Sequence, residues 1–245
     1  MSDREESSYF YPFKRGLAEK TDIVKGAFFD IKMFENDPRW IVKEISAFDD
    51  KKMTFERFRD ELQGADRMIE RYGSKLKRFI PDHHLVFLTN PNGENKGYIA
   101  MKRVDGVDLI NMRRLSKKQV LRLEDLLESS VDFFRDSTLG TGMMGYFPDL
   151  MPKRPDSVCR LGNLMWGSVE DKKDFYLIDN FPLVDRIITS IWANHLELAL
   201  KTFEREKQAQ FSRGFIEKVV LDIKAVAEEL REFNYPGWLK RETGT

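Results

Sequence analysis

The chain has 245 residues, of which 41% are hydrophobic and 12% aromatic, enough to bury the core of one large domain or of two lobes. Its 41 basic residues balance its 41 acidic residues, so the net charge gives no support for nucleic acid as the main partner. The single cysteine, Cys159, excludes an intrachain disulfide, and with only three histidines in the chain a structural zinc site is a weak interpretation.

The amino-terminal stretch MSDREESSYF is polar and acidic, and it lacks the basic region and apolar run of a secretory signal. No apolar stretch approaches the roughly 20 residues that a membrane helix needs. We therefore expect a soluble, cytoplasmic protein without membrane insertion. Export by a route that lacks a classical signal stays open.

The first half of the chain predicts two hairpins with a helix between them. From Ile23 to Ile45, GAFFDIKMF and RWIVKEI read as strands around the turn Glu35-Asn36-Asp37-Pro38, with Lys43 inside the second strand. A helix follows, with Thr54 as its cap and Gly73 as its end. Its apolar stripe has Glu61 on one flank and consists of Phe55, Phe58, Leu62, Ala65, Ile69 and Tyr72. Residues 83–105 return to strands around Pro91-Asn92-Gly93.

The second half reads as mostly helical. Asp105-Gly106-Val107-Asp108-Leu109 breaks the sheet, and Ser116 with Gln119 predicts a capping box. The buried face of the helix behind it is Val120, Leu123, Leu127, Val131 and Phe134. A long loop rich in Gly and Pro occupies 137–163. A hairpin in RLGNLMWGSVEDKKDFYLIDNFP and two helices, at about 184–206 and 210–233, complete the chain.

This order of elements predicts an α+β fold of two lobes. The amino-terminal lobe, residues 1–104, is a small β-rich unit with one main helix. The carboxy-terminal lobe, residues 105–245, is mostly helical. A ligand site between two lobes is the ordinary expectation for such an arrangement.

Four motifs occur in an informative order. They are WIVKEI in a strand, VDGVDL at the lobe boundary, FPDLMP in the long loop, and GNLMWG with FYLIDN around the hairpin. In this order, over about residues 25–185, the sequence resembles the protein-kinase-like superfamily, including its compact bacterial-type and small-molecule kinases. The resemblance implies a bilobal kinase-like fold that uses ATP and Mg²⁺.

The resemblance also implies roles for single residues. Lys43 would hold the α- and β-phosphates and Glu61 would hold Lys43, while Arg103 and Val104 at the hinge would complete the nucleotide site. Asn163 and Asp179, at the two open ends of the hairpin, would supply the oxygen ligands that Mg²⁺ prefers.

The catalytic base is the least determined position. Asp149 in FPDLMP would accept or orient the proton of the attacking hydroxyl, with Asp156 as the runner-up. In the family spacing the aspartate precedes the metal-binding asparagine by five positions, where this chain has Val158. Asp149 stands fourteen positions before Asn163 and requires an insertion of roughly KRPDSVCRL.

Two other departures concern the phosphate loop and the segment after Asp179. No G-x-G-x-x-G is present, and only Gly16 and Gly26 lie near the expected place. Asn180-Phe181 replaces Phe-Gly, and no Ala-Pro-Glu follows, which argues against a phosphorylation-switched kinase.

The favoured function is an ATP- and Mg²⁺-dependent phosphotransferase that moves the γ-phosphoryl group to a hydroxyl of a protein or a small molecule. The alternative is a catalytically weak or dead pseudokinase, a nucleotide-binding module that interacts with a protein partner. Transfer of AMP by the same fold is a third hypothesis, which no residue of the sequence specifically supports.

Overall fold

The computed structural model describes residues 20–25, 29–34, 37–45, 55–89, 95–141, 163–178 and 190–232. The strands in this part of the chain are β1 (Lys20–Lys25), β2 (Phe29–Phe34), β3 (Asp37–Ile45), β4 (His83–Thr89), β5 (Asn95–Lys102), β6 (Asp105–Asp108), β7 (Leu164–Val169) and β8 (Lys172–Leu177). The α-helices are α1 (Phe55–Tyr72), α2 (Lys117–Thr141), α3 (Ser190–Glu206) and α4 (Phe215–Glu232). Short 3-10 helices occupy Lys77–Phe79 and Leu109–Asn111.

The described residues belong to two compact units. The first comprises those within Met1–Asp66, Pro81–Asp105 and Val169–Asp171. It contains a five-stranded antiparallel sheet with the strand order β1-β2-β3-β5-β4, so β3 is the central strand. Its small apolar core consists of Val42, Val86 and Tyr98, with Trp40 packed against them.

The second unit comprises the described residues within Arg67–Ile80, Gly106–Ser168 and Lys172–Thr245. Its helices α2, α3 and α4 and the end of α1 surround one apolar core, which also receives residues from β7 and β8. Strands β6, β7 and β8 form a three-stranded sheet in that order. The fully buried members of this core include Leu123, Leu127, Phe134, Phe175 and Ile223.

Several local predictions are confirmed. The fold is α+β, both predicted amino-terminal hairpins are antiparallel pairs, and Lys43 lies in the second strand of the first. The capping box forms as expected: the backbone N–H of Ser116 donates to Gln119 Oε1 at 2.8 Å, and the Gln119 N–H donates to Ser116 Oγ at 3.3 Å. Helix α1 ends before Gly73, where a Cβ would lie 2.6 Å from the Ile69 carbonyl oxygen.

Three expectations about the elements were wrong, and a fourth was incomplete. The sheet begins at Lys20 rather than near Ile23, and α2 runs on to Thr141 instead of giving way to a loop at 137. Residues 105–108 end the five-stranded sheet as expected, but they also form strand β6 of the three-stranded sheet, which was not predicted. Helix α4 begins at Phe215 rather than at 210, because Gly214 has a positive φ angle of 72°, which no helix accommodates.

Some predicted features fall outside the described residues: the cap at Thr54, the turn at 91–93, Gly16, Gly26, Asp149, Asp156 and Asp179. Among the helices that the structure describes, none combines the length and apolar character needed to cross a membrane.

Candidate functional site

Lys43 is a buried cation in the middle of the central strand. Its Cα is paired with Ile31 of β2 on one side and with Ile99 of β5 on the other. The residue is only 6% exposed. A lysine on an open sheet face would keep its ammonium group in water, and burying that group is costly unless anions or hydrogen-bond acceptors surround it. Lys43 is therefore not an exposed residue of the sheet, as most strand lysines are.

Helix α1 packs on the sheet face from which Lys43 projects. Lys43 and Leu85 are both paired with Ile99, and Phe87 follows Leu85 by two positions, so these side chains leave the same face. The ring of Phe87 meets Phe55 of α1 edge-on, with 5.8 Å between the ring centroids. Glu61 lies in α1, but its side chain is outside the described part of the chain.

A second contact fixes α1 further along the helix. His83, on the same sheet face, has its Nε2 atom 3.1 Å from Asp66 Oδ1 and its Nδ1 atom 3.2 Å from the Pro81 carbonyl oxygen. Both ring nitrogens therefore face acceptors, which suits a doubly protonated imidazolium. Burial, the largest influence, lowers the pKa of His83, but the hydrogen bond and charge of Asp66 and the Pro81 carbonyl outweigh it and raise that pKa.

The predicted hinge pair Arg103 and Val104 differ in exposure. Val104 is buried, whereas the Arg103 side chain is exposed and pairs with Asp105 at 3.0 Å. The backbone N–H of Arg103 already donates to the Arg39 carbonyl oxygen at 2.7 Å. The backbone N–H of Arg103 and its side chain are therefore both engaged in contacts with protein groups.

The β7–β8 hairpin brings its two open ends together. Asn163 directly precedes β7 and Ile178 directly follows β8. The Ile178 N–H donates to the Asn163 carbonyl oxygen at 2.9 Å. Residue 179 is therefore bonded to a residue that is itself hydrogen-bonded to Asn163. At this end of the hairpin, Asn163 carries a side-chain amide oxygen, and the carboxylate of Asp179 follows Ile178 in the sequence.

Strand β7 of the hairpin lies close to Gly106 of β6. A Cβ at residue 106 would overlap the Trp166 carbonyl oxygen and lie 2.5 Å from the Gly167 Cα. Only glycine permits this approach of the two backbones. The sequence marked Gly106 as a breaker, but its actual role is to let β6 pair closely with β7.

The outer strand of the hairpin is held by α2. Arg122 donates from Nε to Asp174 Oδ1 at 3.0 Å and from Nη2 to Asp174 Oδ2, a bidentate pair that joins α2 to β8. The hydrogen bond to Asp174 is the main reason that the pKa of Arg122 is raised. Sequence reasoning missed this pair because 52 positions separate its members and neither belongs to a motif.

The predicted carboxylates Asp149, Asp156 and Asp179 lie outside the described residues. Within the described ranges, no group of three or more His, Cys, Asp or Glu side chains is placed to hold a metal ion. The donor chemistry at the open end of the hairpin nonetheless fits a hard cation, because amide and carboxylate oxygens are its usual ligands.

No protein-family model and no curated protein matches the sequence. Among solved structures, the crystal structure of WbdD is 12% identical, with a TM-score of 0.40, over 84% of this chain and 44% of that chain. A second structure, of the bifunctional kinase-methyltransferase WbdD, is 12% identical with a TM-score of 0.36, over 86% and 44%. A thermostable mutant of aminoglycoside phosphotransferase APH(4)-Ia in its apo form is 10% identical with a TM-score of 0.37, over 88% and 87%. The chain spans less than half the length of the two WbdD structures.

Proposed function

We propose that this protein binds ATP with Mg²⁺ and transfers the γ-phosphoryl group to a hydroxyl of a protein or a small molecule. The observation that carries the proposal is the burial of Lys43 on the third, central strand, on the face that α1 covers. In protein kinases the phosphate-binding lysine lies on the third strand and is paired with a glutamate of the following helix. This chain has Lys43 and Glu61 in those two elements.

The proposed work of Lys43 is electrostatic. Phosphoryl transfer needs little covalent chemistry from the protein and depends on positioning and charge neutralisation. An ammonium group that is largely removed from water attracts a polyphosphate more strongly than one on an open surface. Glu61 would keep that ammonium aimed at the α- and β-phosphates, and Val104 would contact the base through its backbone.

Asn163 and Asp179 are the proposed metal ligands. The hydrogen bond from Ile178 to Asn163 supports this assignment, because it keeps residue 163 beside the residue that precedes Asp179. Magnesium, when bound, would neutralise part of the charge on the phosphates. Asp149, or Asp156 in its place, would accept or orient the proton of the attacking hydroxyl.

Binding without turnover is the second candidate. It is favoured by Val158, which stands five positions before Asn163, where the kinase pattern has its catalytic aspartate. A module of this kind would bind nucleotide and a protein partner without transferring phosphate. The proposed setting of either function is the cytoplasm, in keeping with the single cysteine of the chain.

A labelling experiment separates the two candidates. The wild type, Asp179→Ala and Asp171→Asn, a control in the exposed turn of the same hairpin, are incubated with γ-labelled ATP, Mg²⁺, cell lysate and a panel of hydroxyl-bearing metabolites. Label transfer by the wild type and the control, lost in Asp179→Ala, is the expected result. Transfer that survives Asp179→Ala contradicts the proposal. Magnesium-dependent ATP binding without any transfer supports the binding module instead.

A further inference from the structure

Arg122 is held from several sides at once. Its Nη1 donates to Asp125 Oδ2 at 2.9 Å, and its guanidinium carbon lies 5.3 Å from the centroid of the Phe79 ring. Phe79 is fully buried, and the guanidinium carbon of Arg78 lies 4.7 Å from the centroid of the same ring. Arg78 in turn pairs with Asp125. The Asp125 carboxylate and the Phe79 ring, both of which also contact Arg78, therefore fix the direction in which the Arg122 fork points.

The fork points at Asp174, near the start of β8. The Asp174 carboxylate accepts the bidentate pair from Arg122 and also accepts the Phe175 backbone N–H at 2.8 Å. The two side chains are 30% and 14% exposed, so this pair is better shielded from water than an ordinary surface ion pair. A planar guanidinium on a carboxylate fixes orientation as well as distance, which an ammonium group does not do.

Strand β8, anchored through Asp174, leads to the end of the hairpin where Asn163 and Ile178 meet. This is called the metal end, because Asn163 is a proposed metal ligand. From Asp174, four residues of extended chain reach Ile178, a distance of about 13 Å at roughly 3.3 Å per residue. Between them, Phe175 and Leu177 are buried in the core, and the Phe175 ring lies 4.9 Å from that of Trp166 across the hairpin. The hairpin is thus a stiff unit with the Arg122 pair at one end and the Ile178–Asn163 bond at the other.

We propose that Arg122 is a positioning residue for the metal end of the hairpin: by gripping Asp174 it keeps β8, and with it Ile178 and the Asn163 carbonyl, in register. The part of this inference that concerns magnesium rests on the proposed function. In this proposal Arg122 acts only through Asp174 and β8.

The variants separate charge from geometry. Arg122→Met removes both, Arg122→Lys keeps the charge but not the fork, and Asp174→Asn removes the opposite charge. Arg135→Lys is the matched control, because Arg135 lies on the same helix and pairs with Asp132 at 2.7 Å and Asp136 at 3.4 Å, two carboxylates of that helix. If Arg122→Met folds poorly, Arg122→Lys and Asp174→Asn carry the test.

Two readouts are measured on the full chain. The first is hydrogen exchange of the Ile178 amide without ligand, which we expect to become about tenfold faster in Arg122→Met and Asp174→Asn, as for the loss of one charge-assisted hydrogen bond. The second is the magnesium concentration that half-saturates ATP-dependent thermal stabilisation. We expect it to rise about tenfold in the same variants and by less in Arg122→Lys, with Arg135→Lys unchanged. A merely structural role would lower the melting temperature without moving the magnesium half-saturation.

The outcomes distinguish this inference from the proposed function. A wild type without magnesium-dependent stabilisation by ATP contradicts the proposed function and the magnesium part of the inference, while the Ile178 exchange still decides whether Arg122 holds the hairpin. The other outcome is a wild type that is stabilised by ATP with magnesium while the Arg122 and Asp174 variants keep its Ile178 exchange and its magnesium half-saturation. That result overturns the inference alone.

Discussion

The Ile178 N–H donates to the Asn163 carbonyl oxygen, with 2.9 Å between the two atoms. This bond ties the residue before β7 to the residue after β8. The acceptor is the backbone carbonyl of Asn163 and not its side-chain amide. The structural role and the proposed metal role of Asn163 can therefore be separated by substitution.

Asn163→Ala removes the proposed metal ligand and keeps the backbone bond. We expect the free energy of unfolding to fall by no more than about 1 kcal/mol, the usual size of one lost side-chain hydrogen bond. The magnesium concentration needed for ATP binding is expected to rise by about tenfold or more. Titration of Mg²⁺ at fixed ATP measures the effect, with Asn111→Ala, an exposed asparagine of the same unit, as the control. Unchanged magnesium dependence in Asn163→Ala contradicts its assignment as a ligand.

Gly106→Ala is expected to destabilise the second unit, because the new methyl group would overlap the Trp166 carbonyl oxygen. Overpacking of this kind costs roughly 1–3 kcal/mol. Gly214→Ala is an informative comparison: nothing lies within 4 Å of a Cβ there, and only the positive φ of 72° opposes the change, at about 1 kcal/mol. Urea unfolding of both variants gives the two costs. A Gly106→Ala protein as stable as the wild type would show that β6 does not pair closely with β7.

The His83–Asp66 pair predicts a dependence of stability on pH. The folded-state pKa of His83 is raised, so its contribution is fully present below the ordinary histidine pKa near 6.5 and is lost as pH rises through the higher folded value. Asp82 also raises this pKa, whereas the neighbouring His84 has a lowered pKa, chiefly because of its own burial. Asp66→Asn should therefore cost about 1–2 kcal/mol at pH 5.5 and less at pH 8.5.

Urea unfolding of wild type and Asp66→Asn between pH 5 and 9 measures this difference. Asp82→Asn serves as the control, since Asp82 influences His83 only through its charge. A stability gap between wild type and Asp66→Asn that stays constant, or that widens as pH rises, would rule out a protonated His83 as the partner of Asp66.

Local patterns in the sequence were sufficient for the parts of the fold that depend on neighbouring residues. The capping box at Ser116 and Gln119 forms because both partners lie within one helical turn, and β4 pairs with β5 because the two strands are adjacent in the chain. Lys43 could be placed in a strand for the same reason. Its burial could not be predicted, because burial depends on α1 and on β5, which is more than 50 residues away in sequence.

Features that depend on distant contacts were not visible in the sequence. Strand β6 has only four residues, with a glycine and two aspartates, and it exists because β7, more than 50 residues later, pairs with it. The delayed start of α4 depends on the left-handed conformation of Gly214, which a glycine permits but does not require. Glu124 is buried and accepts hydrogen bonds from the N–H and Oγ–H of Ser212. No pattern within the helix of Glu124 predicts that partner.

ATP binding by Lys43→Met, measured with Mg²⁺ present, decides whether Lys43 belongs to a nucleotide site. Lys102→Met is the matched control, because Lys102 lies in the same sheet but projects from the opposite face, where it pairs with Asp82 at 3.1 Å and Glu170 at 2.5 Å. Calorimetric titration with a non-hydrolysable ATP analogue is expected to show binding by wild type and Lys102→Met, and an affinity at least about tenfold weaker for Lys43→Met. Equal affinity in Lys43→Met and wild type, or no binding by the wild type, would contradict the proposed role of Lys43 in ATP binding.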